Sequence, residues 1–538
     1  MTPRKPRVDH IRRRLVGGVG GALAASSFSL PSLARPGGWS PRTSRRSALF
    51  TLGVASGDPQ PRRVTLWTRL APDPLNGGGM DEVPVEVTVE VASDPDFRDV
   101  VRSGTVMALP EAGHAVSVTV PALTPNTFYW YRFSALGETS RVRRTRTFPS
   151  RFEQPEQMRF ALASCQNYTA GFYAAYRDMA DQDLDFVVHT GDYIYEGAAD
   201  EATPESRRHV GPECTSVVDY RNRYAQYRLD ENLQDAHAAF PWIVTWDDHE
   251  VDNNYAALAP EDDQLPEDFS ARRSAAYQVY RESMPLGARQ TLNDDNELQL
   301  FRRFTFGDLA QFHVLDTRQF RDDQPCDDIF PAFIDVCPEI VDPNGTMTGE
   351  EQEQWLYNGL ARSRAIWNVM AQQVMMMQWD VGAALGAPGA FNPDAWDGYQ
   401  GARQRLLDFL AATQPANPIV LTGDIHSSWA ADIKADFNEV DSPVVAAEFV
   451  CSGITSSFGD ENVPLVELTL PFNPHIRFFD GLFRGYAVCE VTREQWRTDF
   501  RGVERVSDPH FTVPSPDLAV STIASYGVNA GVPGVVEL

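Results

Sequence analysis

Four short apolar runs in this chain each stop at an acid, a cysteine or a histidine, and no other feature limits the possible folds as tightly. They are Phe160-Ala-Leu-Ala-Ser-Cys165, Phe186-Val-Val-His-Thr-Gly-Asp192-Tyr-Ile-Tyr195, Trp242-Ile-Val-Thr-Trp-Asp-Asp248-His249-Glu250 and Ile419-Val-Leu-Thr-Gly-Asp424-Ile-His426. An apolar run that ends in turn chemistry reads as a strand buried in a layered α/β domain. In such sheets ligands sit at the carboxyl ends of the strands, where the loops converge. These ends carry a thiol, several carboxylates, two histidines and a tyrosine. That set suits a two-metal site better than a single-nucleophile site.

At 538 residues the chain is too long for one core, so two or three domains are expected. Its 43% hydrophobic and 22% charged content is that of a folded protein. A formal net charge of −27 disfavours a nucleic-acid backbone as the main partner. Lysine occurs only at Lys5 and Lys434, so the positive charge is almost all arginine. Genome bias explains this most simply; an acidic, salt-tolerant surface is the second reading.

The N-terminus has a basic region with Arg4, Lys5, Arg7 and Arg12-Arg13-Arg14, then a Gly/Ala-rich apolar segment from Leu15 to Leu33. With Ser32-Leu33-Ala34 as a small-x-small cleavage site, residues 1–34 read as an export signal and 35–49 as a linker. Paired arginines before a weakly hydrophobic segment point to the twin-arginine route; an ordinary secretory signal is the alternative. The expected location is periplasmic or secreted, with transient contact to the export machinery and no transmembrane segment in the mature protein. Export permits disulfides. Of the six cysteines, Cys326 and Cys337 flank a short acidic loop and form the first expected pair. Cys451 and Cys489 are expected to pair if their strands are neighbours. Only Cys165 of the remaining two stands at a strand end beside other candidate ligands.

Residues 50–150 read as all-β, with alternating or β-branched runs at 64–70, 85–91, 115–120 and 128–133. The stretch Leu123-Thr-Pro-Asn-Thr-Phe-Tyr129-Trp-Tyr131 is similar to the tyrosine-corner region of a fibronectin-III-type sandwich. Over 151–506, strands alternate with helix-like segments at 170–180, 270–282 and 349–363. The last of these starts with Thr348 as expected N-cap and Glu351 in the capping-box position. Met375-Met-Met377 reads as buried packing. The segment 507–538 is long enough to act as a lid over the site.

Gly191-Asp192 alone is weak evidence, because Gly-Asp is a common turn. Gly423-Asp424-Ile-His426 after another strand, and Asp247-Asp248-His249-Glu250 after a third, narrow the reading. Calcineurin-like metallophosphoesterases carry blocks of the form Asp-x-His, Gly-Asp, Gly-Asn-His and Gly-His-x-His at such strand ends. Here the Gly-Asp block is kept, Cys165 stands in the first block, Asp248 replaces the Asn, and Asp424 replaces the first His of the last block. With Tyr195 three residues after Asp192, this pattern resembles the PhoD-type alkaline phosphatases. The resemblance covers nearly the whole chain. It includes Gly53-Val-Ala-Ser-Gly-Asp-Pro59, Leu162-Ala-Ser-Cys-Gln166, Gly191-Asp-Tyr-Ile-Tyr-Glu196, Trp246-Asp-Asp-His-Glu250 with Asn253-Asn254, and Leu421-Thr-Gly-Asp-Ile-His-Ser-Ser-Trp429.

The resemblance implies a layered β-sandwich flanked by helices behind a small β domain, and phosphate-ester hydrolysis at one iron and one or two calcium ions around a shared carboxylate. A thiolate and a phenolate suit Fe3+, whereas Ca2+ prefers carboxylate and carbonyl oxygens. The expected iron ligands are Cys165, Asp192, Tyr195 and Asp424. Asp192 is expected to bridge to calcium, joined by His426, Asp248 and Asn253 or Asn254. His249 is the expected catalytic residue, placed to contact a phosphoryl oxygen or protonate the leaving group; its alternative is a buried structural histidine. Arg272, Arg273 and Arg318 are candidate phosphate clamps. Small phosphate esters are the expected substrates, with a phospholipase D-like activity on lipid or teichoic-type diesters as the alternative. Two remoter readings are a hydrolase with Cys165 as nucleophile, which leaves the other strand-end acids unexplained, and a calcium-dependent surface protein.

Overall fold

The computed structural model describes residues 48–261, 264–294, 296–328, 330–333, 337–505 and 511–538. The expected export signal at 1–34 lies outside them, as does most of the linker. The fold follows from the period-two pattern of the apolar runs. Along Gln157–Ala163, Phe160 and Leu162 point to one side and Ala161 and Ala163 to the other, and both sides are buried. A strand apolar on both faces needs cover on both faces.

That cover produces four layers. The strands Gln157–Ala163, Phe186–His189 and Pro241–Val244 run parallel at the centre of a ten-stranded sheet. Ala310–Val314, Trp367–Ala371, Pro418–Thr422 and Val444–Val450 run parallel in a seven-stranded sheet. The two sheets face each other through one core, with Phe160, Leu162, Phe186, Val188 and Ile243 opposite Phe312, Val369, Ile419, Leu421 and Phe449. Outside the first sheet pack the helices Ala174–Ala180, Val217–Arg228, Glu231–Ala239 and Pro266–Ser283, over Ala163, Val187, Trp242 and Val244. Outside the second lie Gly349–Arg362 and Gln400–Thr413, over Met370, Val420 and Trp429. Met375, Met376 and Met377 are buried in that outer core.

The N-terminal β region does not stand apart as a cap. Val54–Gln60, Arg63–Arg69 and Ala115–Val120 extend the ten-stranded sheet, with Ser56 and Gly57 in parallel register with Pro241 and Trp242. Its second sheet, built on Val85–Ala92, Val100–Ala108 and Phe128–Ala135, closes over these strands through Val87, Val89, Tyr131, Phe133, Val64 and Leu66. The Tyr129 hydroxyl accepts a hydrogen bond from Thr124 N–H at 2.9 Å, which is the corner read from the sequence.

Two local expectations, the Cys451–Cys489 pair and the Thr348 cap, are corrected. The C-terminal segment supplies Val520–Asn529 and Val532–Glu537, the last strands on one edge of the large sheet, whose backbone groups pair with Gln495–Val503 and with each other. Just before them, Val513 bridges Gly171. Cys451 and Cys489 are both free. Cys489 lies in a strand of the large sheet, and Cys451 follows a strand of the facing sheet, so the two are not strand neighbours. Thr348 makes no side-chain cap; instead Thr346 Oγ1 accepts from Gly349 N–H at 2.8 Å. The Cys326–Cys337 disulfide is formed, with a Cα–Cα distance of 5.7 Å.

A buried ion pair couples the N-terminal unit to the rest. Arg302 Nε and Nη2 donate to Asp58 Oδ1 at 3.0 and 2.8 Å, and Gly287 N–H donates to Asp58 Oδ2 at 2.8 Å. Asp58 is in the left-handed region at φ 45°, which asparagine tolerates. Asp58→Asn should therefore keep the backbone and leave the Arg302 guanidinium buried without its counter-ion. Breaking such a pair costs about 3–5 kcal/mol. The expected result is a drop of that size in urea-unfolding stability; a loss below about 1 kcal/mol would show that the guanidinium is not held by this charge.

Candidate metal centre

All the parallel strands of both sheets open toward one end, and the turns there supply the functional side chains. Cys165, Asp192, Asp424 and His426 all have positive φ, between 56° and 65°. Non-glycine residues hold this conformation only when their surroundings fix it. The fixing hydrogen bonds are present. Cys165 N–H donates to Gly191 O at 3.1 Å and Gln166 N–H to Asp192 O at 3.0 Å, so the first two turns are zipped together. Cys165 O accepts from Ser456 N–H at 3.2 Å. Gly191 has φ 120°, and a Cβ there would stand 2.3 Å from Asp247 Cβ. The Gly-Asp turn thus needs glycine because the third strand end passes directly beside it.

Glu250 is the clasp of this arrangement, and reading the sequence gave it no role. Its Oε2 accepts from Asp192 N–H at 3.0 Å and Asp247 N–H at 2.8 Å, and its Oε1 from Tyr193 N–H at 2.6 Å. Burial, then the Asp192 charge, push its carboxyl up to about 8.

Among the described residues, three groups of candidate ligand atoms each lie within 4.8 Å of one another: Cys165, Asp192 and His426; Asp192, Asp248 and His249; and Asp247, Asp248 and Asp424. Tyr195 joins the first: its hydroxyl donates to Asp192 Oδ2 at 2.7 Å and lies 3.2 Å from His426 Nε2 and 2.7 Å from Ser456 Oγ. Asp192 belongs to the first two groups, at the junction expected of a bridging carboxylate. The grouping sets His426 with the thiol and the phenol, and Asp424 with the other acids, because Arg318 Nη2 holds Asp424 Oδ1 at 3.0 Å. The Asn253 amide donates to Glu261. Asn254 N–H donates to Asp248 Oδ2 at 2.7 Å.

The electrostatics call for a cation. Arg318, fully buried, is the local counter-charge: it donates to Asp247 Oδ1 at 2.5 Å, Asp394 Oδ1 at 2.6 Å and Asp424 Oδ1 at 3.0 Å, and lies 3.7 Å from Asp248. It therefore acts beneath the acids and not as a clamp on substrate. Arg272 pairs with Glu213 and Asp252, and Arg273 donates to Ala257 O, so neither is committed to the cluster. Burial and neighbouring acids push the Asp247 and Asp424 carboxyls far up, and burial with the Asp192 charge does the same to the Cys165 thiol. Asp248 goes the other way, because Arg318 and His249 outweigh its burial. Asp192 Oδ1 and Asp247 Oδ2 are buried with no hydrogen-bond partner. Buried carboxylate oxygens normally have partners. Orphaned oxygens inside an acid cluster fit bound metal ions, which also favour the ionised thiol and carboxylates.

His249 lies at the rim of this cluster, half-buried. Its Nδ1–H donates to Glu196 Oε2 at 2.8 Å, and its ring packs 4.1 Å from that of Tyr195. Burial opposes its charged form, but Glu196, Asp248 and Asp192 push its pKa well up. Glu196 and Glu250 both sit inside motifs visible in the sequence, next to the ligands they support. Asp394 and Ser456 come from loops with no local signal.

Comparison with known proteins fits this geometry. The model of the PhoD-like phosphatase family matches residues 160–500, and that of the PhoD-like phosphatase N-terminal domain matches 36–149. The chain is 46% identical over 521 residues to alkaline phosphatase D of Bacillus subtilis (strain 168), across 96% of this chain and 87% of that one. A solved structure of PhoD superposes with a TM-score of 0.84 at 46% identity, over 92% of this chain and 93% of the other. On the extent of these matches and the turns they contain, the chain belongs to the PhoD-like phosphatase family.

Proposed function

We propose that this protein is a metal-dependent phosphoesterase, with Fe3+ held by Cys165, Asp192, Tyr195 and His426 and Ca2+ held by Asp192, Asp248 and Asp424. The observation that carries the reading is the orphaned buried oxygen Asp192 Oδ1, where two groups of candidate ligands meet in the acid cluster of a PhoD-like chain. Thiolate and phenolate are anionic donors suited to Fe3+, and an all-carboxylate set suits Ca2+. The Asn253 amide N–H donates to Glu261, which leaves its carbonyl oxygen open to calcium. The basic and apolar N-terminal sequence supports export to the periplasm or beyond, and no helix of the described residues is long and apolar enough to cross a membrane.

When bound, the metals neutralise charge on the phosphate oxygens and make water a stronger acid. The chain supplies the rest. Glu250 and the zipped turns hold Asp192 at the junction of the two ligand groups. Arg318 keeps Asp247, Asp394 and Asp424 from driving one another apart. Glu196 takes up Nδ1 of His249, which leaves Nε2 to hold the proton that the leaving oxygen accepts.

Asp192→Asn should leave the fold intact and deplete both metals. Loss of a metal-centred contribution costs several kcal/mol of barrier, so turnover of a chromogenic phosphate ester should fall below about a tenth of wild type. Metal content near wild type with more activity than that would remove Asp192 from the bridge. Tyr195→Phe keeps the ring and removes only the phenolate oxygen. The iron-loaded variant should lose visible absorption while its calcium content stays the same; an unchanged band would show that Tyr195 is only a packed aromatic. Chelation should inactivate the enzyme reversibly. Ca2+ should restore it and Mg2+ should not, because Mg2+ demands a tight octahedron at about 2.1 Å and gives up water reluctantly. Full rescue by Zn2+ alone would replace the iron–calcium reading with a zinc one.

A further inference from the structure

Ser164, the residue before Cys165, is buried, and its hydroxyl lies between two sulfurs. Cys165 Sγ is 3.2 Å away and Cys451 Sγ 3.5 Å away. Packing confines the hydroxyl to this place. A Cβ on Gly423 would stand 2.5 Å from Ser164 Oγ, so the serine side chain fills the notch that the glycine beside Asp424 leaves open. Ser164 O is held by Ile454 N–H at 3.0 Å. Cys165 Sγ has one other polar contact, Asp424 O at 3.8 Å, and a carbonyl can only accept. Among the described residues, the Ser164 hydroxyl is therefore the donor within reach of this sulfur.

The direction of the hydrogen bond depends on what Cys165 is. As a thiol, its S–H donates to Ser164 Oγ. As a thiolate it has no proton, and the contact survives only if Ser164 O–H turns to donate to the sulfur. The freed lone pairs of Ser164 Oγ then accept the Cys451 S–H. The two hydrogens line up from Cys451 through Ser164 to Cys165. A hydrogen bond to a metal-bound thiolate draws electron density off the sulfur, weakens its bond to iron and raises the reduction potential of the metal.

We propose that Ser164 is a positioning residue for the metal centre: its hydroxyl donates to the Cys165 thiolate and sets how strongly that sulfur donates to iron, with Cys451 orienting the hydroxyl from behind. The inference rests on the reading of Cys165 as an iron ligand and goes beyond it by naming the group that tunes that ligand. Gly423 has a second purpose on this view, since any larger residue there would displace the hydroxyl.

The test uses the iron-loaded enzyme and visible-excited Raman scattering, which reads the iron–sulfur stretch separately from the vibrations of the Tyr195 ring. Ser164→Ala should move the stretch to higher frequency and the reduction potential to a more negative value, with the tyrosine vibrations unmoved. Cys451→Ala opens the same buried corner but keeps the O–H to sulfur contact, and should shift both readouts by less than half as much. Exchange of the wild-type protein into D2O should shift the stretch, which needs no variant to fold, and Ser164→Ala should abolish that shift. An unmoved stretch and potential in Ser164→Ala, equal shifts in the two variants, or no D2O effect in wild type would each overturn the proposal. Absence of any iron–sulfur stretch in the wild-type enzyme would instead overturn Cys165 as an iron ligand, and the tuning role with it.

Discussion

Crowding of buried negative charge at one end of two facing sheets is the constraint to which the rest of this structure answers. Asp192, Asp247, Asp248 and Asp394 are buried, as is the Cys165 thiol, and Asp424 stands half-buried beside them. Removing charges from water costs several kcal/mol each unless they are paired. Arg318 offsets part of that cost through its contacts with four of the acids, and Arg321 adds a bond of 2.9 Å to Asp394. Two carboxylate oxygens are still left without partners. The cluster thus carries an electrostatic deficit that its own side chains do not close.

Holding so many acids together requires a rigid frame, and the parallel strands provide it. Cys165, Asp192, Asp248 and Asp424 each sit within a few residues of a strand buried on both faces. The turns themselves are strained, with Cys165, Asp192, Asp424 and His426 in left-handed backbone. Bonds between turns counter that strain: Glu250 to the Asp192 turn, the Cys165 turn to the Asp192 turn, and Ser456 to Cys165. The turns therefore form as a set. A change that loosens one of them reaches ligands on neighbouring strands, as expected of a network whose members share partners.

The N-terminal sandwich and the C-terminal strands complete the frame from its two edges. Val54–Gln60, Arg63–Arg69 and Ala115–Val120 at one edge, and the strands after 519 at the other, lengthen the same sheet that carries Cys165, Asp192 and Asp248. Backbone pairing continues across what composition and turn spacing present as a domain boundary, and the Asp58–Arg302 pair locks the join. The family models match the two regions separately, which shows that a unit recognisable in sequence can still share its sheet with its neighbour.

The sequence by itself determined the layered α/β class, the strand identities and the kinds of side chain at the strand ends. These depend on local pattern: a period-two apolar run fixes a strand, and Gly-Asp at its end fixes a turn that exposes a carboxylate. Local pattern also placed the Cys326–Cys337 pair and the Tyr129 corner. It could not decide how side chains from different strand ends group in space, because that depends on which turns meet. Only the tertiary structure put His426 beside Cys165 and Tyr195, and Asp424 beside Asp248. It also turned Arg318 from a candidate substrate clamp into the counter-charge beneath the acids, and brought Asp394 to it from 76 residues away. The tail of the chain shows the same limit. Its length does not say where its strands go; the open edge of the large sheet satisfies the backbone donors and acceptors of Val520–Asn529 and Val532–Glu537, and that pairing decided their place.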